Sequence, residues 1–308
     1  MNYEEFCAAL QEELFNMLDT GYSIHREHVL KNNGVVLDSL ALLKAGKHCS
    51  PVISLEMLYE QFEKGHSMSE LCDYMVSITD TELPLSVAGL TSLNHFEDFR
   101  DRITCRLVAQ DKNEELLKTI PWIPCLDLAV IFSLAIESEG ETQISSVITN
   151  VVSASWNLTP EDLFSLAAEN TPRIYPANFR RLETVIEEYF PGSIDFVPED
   201  CPVPTLYVLT NSSAHHGAAC VLYPDKLKDL ADAFGKDLLI LPSSIHEVLI
   251  IADSEAFTER DYHVFCNTIQ NVNRESILPE DFLSDHLYRY RRETDRMEIY
   301  ADNSEALL

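Results

Sequence analysis

A chain of 308 residues can bury a sizeable core, and its length fits two domains or one large α+β unit. Its apolar content of 46% excludes an intrinsically disordered chain. With 51 Asp and Glu against 22 Lys and Arg, the formal net charge of −29 disfavours non-specific binding to nucleic acid. The carboxylates are spread along the whole chain, which argues against a nucleic-acid mimic and for an acidic soluble protein.

The pattern predicts a first helix over 3–18, ending at Asp19-Thr20-Gly21. Its acidic start, MNYEEFCAALQEEL, lacks the basic flank and apolar stretch of a signal peptide. A hairpin follows, Ile24 to Leu30 and Val35 to Leu43, around Asn33-Gly34, two residues that tolerate the positive φ of a type I′ turn. A short helix over 55–64 stops at Gly65, and Ser67-Met68-Ser69-Glu70 is a capping box that opens a helix to about Ile78. Residues 80–94, broken by Pro84 and Gly89, read as a connector.

The middle region starts with a strand, Ile103 to Val108, and a helix, Asp111 to Thr119. Pro121 and Pro124 bracket a turn before the strand Leu126 to Ile136. One face of that strand is heavily apolar and the other is mostly small, as in a central strand covered on both sides. Thr159-Pro160-Glu161-Asp162 supplies an N-cap, a proline at the first helical position, and acids at the positive end of the dipole. A helix from Asn178 to Phe190 stops at Pro191-Gly192, and a proline-rich joint at 197–204 leads into the last region.

There, strands Leu206 to Thr210 and Ala218 to Tyr223 flank a polar loop with His215-His216-Gly217. A helix from Pro224 stops at Gly235. Strands Leu238 to Leu241 and Val248 to Ile251 then flank a polar turn. Another helix opens near Thr258. Pro279-Glu280-Asp281 starts a final helix that runs into the basic cluster Arg289, Arg291, Arg292 and Arg296, and residues 301–308 read as frayed. The middle and last regions share the order strand, helix, strand. This fits a faint internal duplication or the ordinary assembly of α+β chains, and the second reading is preferred.

The expected class is therefore α+β: a mixed or largely antiparallel central sheet with peripheral helices, with room for two α/β subdomains. Three regions are expected: 1–90 with the first helix, hairpin and helical segment; 91–200 as a middle α/β region; and 201–308 as a C-terminal α/β region with the LPSSIHE turn. Eight scattered cysteines without a C-x-x-C pair read as reduced core thiols. The apolar runs are too short to span a bilayer.

Ser243, Ser244, His246 and Glu247 hold the residue types of a hydrolytic triad and are the catalytic candidates. Adjacent His246 and Glu247, however, point to opposite faces of an extended chain, and no G-x-S-x-G elbow occurs. The competing reading is a turn whose hydroxyls bond local backbone while His246 caps or packs. His246-Glu247 begins H-E-x-x-H, but the fifth residue is Ile250. His215, His216, Cys201 and Cys220 match no standard zinc spacing, and no phosphate cradle or dinucleotide fingerprint occurs, so neither metal nor cofactor is expected. The segment HLYRYRRETDR offers residues of the kind that anchor interfaces, against a plainer reading as charge at a helix C-terminus. The binding candidates are His215, His216, Tyr288, Tyr290, Arg291 and Arg292.

The segments LYVLTNSS…GAACVLYPDKLKDLADAFGKDLLILPSSIHEVLIIAD, ITCRLVAQDKNEELLKTIPWIPCLDLAVIF and NLTPEDLFSLAAENTP resemble clostridial proteins grouped as domain-of-unknown-function family 5688, over about Ile24 to Ile299. The LPSSIHE segment is also similar to that of bacterial domain-of-unknown-function family 1444. The resemblance implies a cytoplasmic protein of anaerobic gut bacteria and supplies no catalytic residues. The resulting expectation is a non-enzymatic cytosolic binding or interaction module with a protein or peptide partner, engaging neither nucleic acid nor membrane. The alternative is a hydrolase using Ser243, His246 and Glu247, with His215 or His216 supplied from the neighbouring loop.

Repulsion among the carboxylates predicts a thermal midpoint that rises as ionic strength goes from low to physiological. Scanning calorimetry checks this, and a flat or falling midpoint would show that the charges are already paired locally.

Overall fold

A computed structural model describes residues 1–19, 21–45, 52–80, 96–136, 144–192 and 204–300. Nearly all of the expected connector at 80–94, most of the joint at 197–204, Cys49, Cys201 and the tail at 301–308 lie outside the described residues. The chain divides into two compact units: Met1–Leu93 with Ile136–Thr142, and Asn94–Ala135 with Gln143–Leu308.

The first unit packs three helices, Tyr3–Met17, Leu55–Glu63 and Met68–Asp80, with a sheet of β1 (Tyr22–Leu30), β2 (Val36–Lys44) and β3 (Val52–Ser54). Phe6, Leu10 and Leu14 recur at helical spacing, so they share one face and bury against Leu40 and Leu42 of β2 and Leu55, Leu58 and Met75 of the other helices. Asn33 and Gly34 both take positive φ, as the hairpin reading requires. The connection is longer than two residues, a short 3-10 turn over Asn32–Gly34 closed by Lys31 N–H donating to the Val35 carbonyl.

The second unit holds two sheets. One runs in the order β13-β12-β10-β11-β9-β8: Arg296–Ile299, Tyr288–Arg291, Leu238–Ser244, Glu247–Ala252, Tyr207–Asn211 and Ala177–Arg181. The other runs β4 (Ile103–Ala109), β6 (Leu128–Ile136) and β5 (Trp122–Cys125), with β7 (Ile144–Val147) also on β6. Every pairing with a defined register is antiparallel, so the molecule is α+β. Residues 128 to 135 of β6 are buried on both faces, as its composition predicts. Because β8 pairs with β9, the middle and C-terminal stretches of the sequence share one sheet.

Four expected elements differ. Residues 218–223 are not a strand but part of a 3-10 helix, Gly217–Leu222, so the strand, helix, strand order of the middle region is not repeated. The expected helix from Asn178 begins as strand β8, where Phe179 stacks on Tyr207 across β9, and turns helical only over Leu182–Tyr189. Pro121 and Pro124 do not bracket a turn: β5 forms there, and the chain reverses at Leu126, whose φ is 58°. Pro279–Asp281 is a single 3-10 turn, and the expected final helix is instead the hairpin β12–β13. The alternation Tyr288-Arg289-Tyr290-Arg291 is a period of two that buries both tyrosines on one face.

Asp127, beside that reversal, ties the two sheets of this unit together. Its carboxylate accepts hydrogen bonds from Ser284 Oγ at 2.7 Å, Tyr288 OH at 2.7 Å and His286 Nδ1 at 3.0 Å. Burial works to raise its pKa, but the bonds from His286, Ser284 and Tyr288 outweigh burial and hold the carboxyl below the usual aspartate range. Replacing Asp127 by Asn sets an amide against three donors, with an expected loss of about 2–4 kcal/mol at neutral pH. A depressed folded pKa gives stability that is full above the unfolded pKa and lost as pH falls through the folded one. Urea unfolding of both proteins from about pH 7 to about pH 3 should therefore show the gap between wild type and Asp127→Asn closing.

Candidate functional site

The site is built on the loop after β9. Asn211, the last residue of that strand, donates from Nδ2 to the His215 carbonyl at 2.9 Å and accepts the Ser213 backbone N–H at 3.0 Å. The loop closes with Ala214 and His216 in the left-handed region, φ 56° and 53°, a conformation that side-chain-bearing residues adopt only when surroundings enforce it. Gly217 follows. A Cβ there would lie 2.2 Å from Thr210 Oγ1, 2.5 Å from the His246 carbonyl and 2.7 Å from the Asn211 nitrogen, so the backbone can pass only as glycine. The buried small residues Ala218, Ala219 and Cys220 then let the 3-10 turn pack closely. Burial raises the Cys220 thiol to about 12, and its Sγ donates to the Thr210 carbonyl at 3.1 Å.

This path sets His216 between Arg106 on β4 and His246 in the β10–β11 turn. Arg106 Nη1 lies 3.1 Å from His216 Nε2, and Nη2 donates to Ser145 Oγ at 2.9 Å. A guanidinium only donates, so Nε2 is the acceptor and the proton of the neutral ring sits on Nδ1. Nδ1 is buried with no hydrogen-bond partner among the described residues. Burial first, then the Arg106 cation and the other two imidazoles, drives the His216 pKa down to about 2, so the ring is neutral at physiological pH. Burial also lowers Arg106 to about 10, which leaves it a cation at neutral pH, and Tyr175 is close enough to act on it in the opposite sense.

His246 is fully engaged. Its Nδ1 accepts the His216 backbone N–H at 3.2 Å, so Nδ1 carries no proton, and Nε2 faces Asp281 Oδ1 at 3.1 Å. Ser243 Oγ donates to Glu247 Oε1 at 3.4 Å, and Ser244 Oγ accepts the His246 backbone N–H at 3.0 Å. The four catalytic candidates therefore sit in one turn without forming a relay: neither serine hydroxyl meets the His246 ring, and that ring has no free lone pair for a proton. His215 is exposed at the rim, its ring 5.5 Å from that of His246.

The other binding candidates lie elsewhere. Tyr288 and Tyr290, expected at the surface, are 2% and 3% exposed. Their hydroxyls bond Asp127 and Asp295, because β12 turns both rings inward. Arg291 pairs with Glu298 and Asp237, Arg292 with Asp232, and Arg289 with Asp237 and Asp253. Among the described residues, no group of three or more His, Cys, Asp and Glu could hold a metal ion, and no helix is long and apolar enough to cross a membrane.

Sequence reasoning missed Arg106, Ser145, Tyr175 and Asp281. The one available signal was Arg106 itself, the only charged residue in the strand ITCRLVA. Arg26, Arg180, Arg289, Arg291 and Arg292 each pair with a carboxylate. Arg106 pairs with none among the described residues and rests on a neutral imidazole.

Fold and site together define an α+β protein with a polar centre built around a cation that has no carboxylate partner among the described residues. The chain belongs to the Family of unknown function (DUF5688), whose model matches residues 3–292. No curated protein and no solved structure matches it.

Gly217→Ala should lose about 1–3 kcal/mol, because two of the three obstacles are backbone atoms that cannot rotate away. Urea unfolding measures the loss, and the imidazole resonances of His216 and His246 should move in the same variant. A substitution without effect on either would remove the packing account of this loop.

Proposed function

We propose that the chain is a non-enzymatic cytosolic binding module whose recognition centre is Arg106 seated on His216, and that its ligand presents an anionic group. The observation that carries this reading is the half-buried Arg106 cation with no carboxylate partner among the described residues, in a chain where acidic residues outnumber basic ones by 51 to 22. Leaving a desolvated charge unmatched is unfavourable, and a chain so rich in carboxylates could readily have supplied a counter-ion. A neutral imidazole instead holds the guanidinium in place without cancelling its charge. A bound anion completes the pair.

The hydrolase alternative has less support, because His246 Nδ1 is occupied by a backbone N–H and Ser243 turns to Glu247. Fluorophosphonate should therefore leave Ser243 unlabelled. Arg106→Gln tests the binding reading. Without ligand it should be neutral or stabilising by about 1–2 kcal/mol, since it removes an unmatched charge. A ligand at about 100 times its dissociation constant should stabilise the wild type by about 2.7 kcal/mol and leave the variant unmoved. Thermal melts in a panel of simple anions at constant ionic strength measure both effects. Equal responses in the two proteins would remove Arg106 from the site.

A further inference from the structure

We propose that the Arg106 centre takes a single carboxylate group, held by the guanidinium with Ser145 beside it; this rests on the binding reading above and narrows it to one ligand chemistry. Two of the five N–H donors of Arg106 go to His216 Nε2 and Ser145 Oγ, and the others have no acceptor among the described residues. They lie in the plane of a rigid fork that fits the two oxygens of a carboxylate. Ser145 is exposed and accepts from Arg106, so its own O–H remains able to donate to a second group on the open side. Tyr175 is partly buried and close enough for its charge to act on the guanidinium, so it belongs to the surroundings of the centre.

The charge balance selects a monoanion. Arg106 is the one cation of the centre, because His216 accepts at Nε2 and His246 accepts at Nδ1, so both rings are neutral. His246 also faces Asp281, which adds a negative charge on its far side. A carboxylate cancels the single positive charge. Inorganic phosphate at neutral pH is a mixture of mono- and dianion in comparable amounts, and its dianion would leave a second negative charge in a half-buried position, within the field of a chain of net charge −29.

Isothermal titration of the full chain at constant ionic strength tests this with four probes: acetate, a short N-acetylated peptide with a free C-terminus, the same peptide amidated, and inorganic phosphate. The carboxylate probes should bind, with the amidated peptide and phosphate at least about tenfold weaker. A free peptide clearly tighter than acetate identifies a peptide terminus as the source, and equal affinities identify a small free acid. Arg106→Gln should lose binding, and Arg106→Lys, which keeps the charge without the fork, should fall about tenfold. Ser145→Ala lies at an exposed position and guards against a folding artefact, with an expected loss of about threefold to tenfold. Phosphate binding as tightly as acetate, in an Arg106-dependent way, would overturn the carboxylate assignment and leave the binding module standing. Absence of Arg106-dependent binding by every probe would overturn both.

Discussion

The polar centre depends on the close passage of the Gly217 backbone against Thr210, Asn211 and the His246 carbonyl. No side chain fits in that space, so the chain there is fixed by what it touches rather than by its own propensity. The passage forces His216 into the left-handed region, aims its backbone N–H at His246 Nδ1, and presents its Nε2 to Arg106. Asn211 and Thr210 hold the two ends of the arrangement, one through the His215 carbonyl and the other through the His246 carbonyl. Three histidines from two loops are thereby collected beside a strand from the other sheet of the same unit.

The molecule treats its arginines in two ways. On the β12–β13 hairpin, Arg289, Arg291 and Arg292 interleave with Asp232, Asp237, Asp253 and Glu298, and each charge is met by its opposite. Such a network fixes the hairpin and leaves little net charge to offer a partner. Arg106 is met by a neutral acceptor, which gives direction without neutralisation. The arrangement is unfavourable in isolation: among the described residues a half-buried cation stays unmatched and His216 Nδ1 is left without an acceptor. Strain and unmet polarity of this kind are concentrated where a protein binds something.

What was legible in the sequence was local. The capping box at Ser67–Glu70 forms as read, and the helix start read at Thr159 as an N-cap followed by acids closes as a box with Asp162, because both partners lie within one helical turn. The strands around LPSSIHE pair as a hairpin, and β6 is buried on both faces as its composition required. The readings that failed were those in which a distant contact overrides the local pattern. The run GAACVLY has the residues of a strand, yet the passage at Gly217 and its small neighbours coil it into a 3-10 turn. Asn178 to Arg181 has a helical continuation, yet it is drawn into the sheet by β9. The histidine loop and the LPSSIHE turn were recognised as polar sites, but Arg106 lies 110 residues from His216 along the chain, and only the fold brings them together.

The central claim is that Arg106 keeps its charge because its partner is a neutral imidazole. Long-range nitrogen–proton NMR of the histidine rings reads this directly, since nitrogen shifts distinguish both tautomers and the imidazolium. Between about pH 5 and about pH 8, His216 should remain a single neutral species with its proton on Nδ1. A His216 ring that protonates within that range, or that carries its proton on Nε2, would contradict the account.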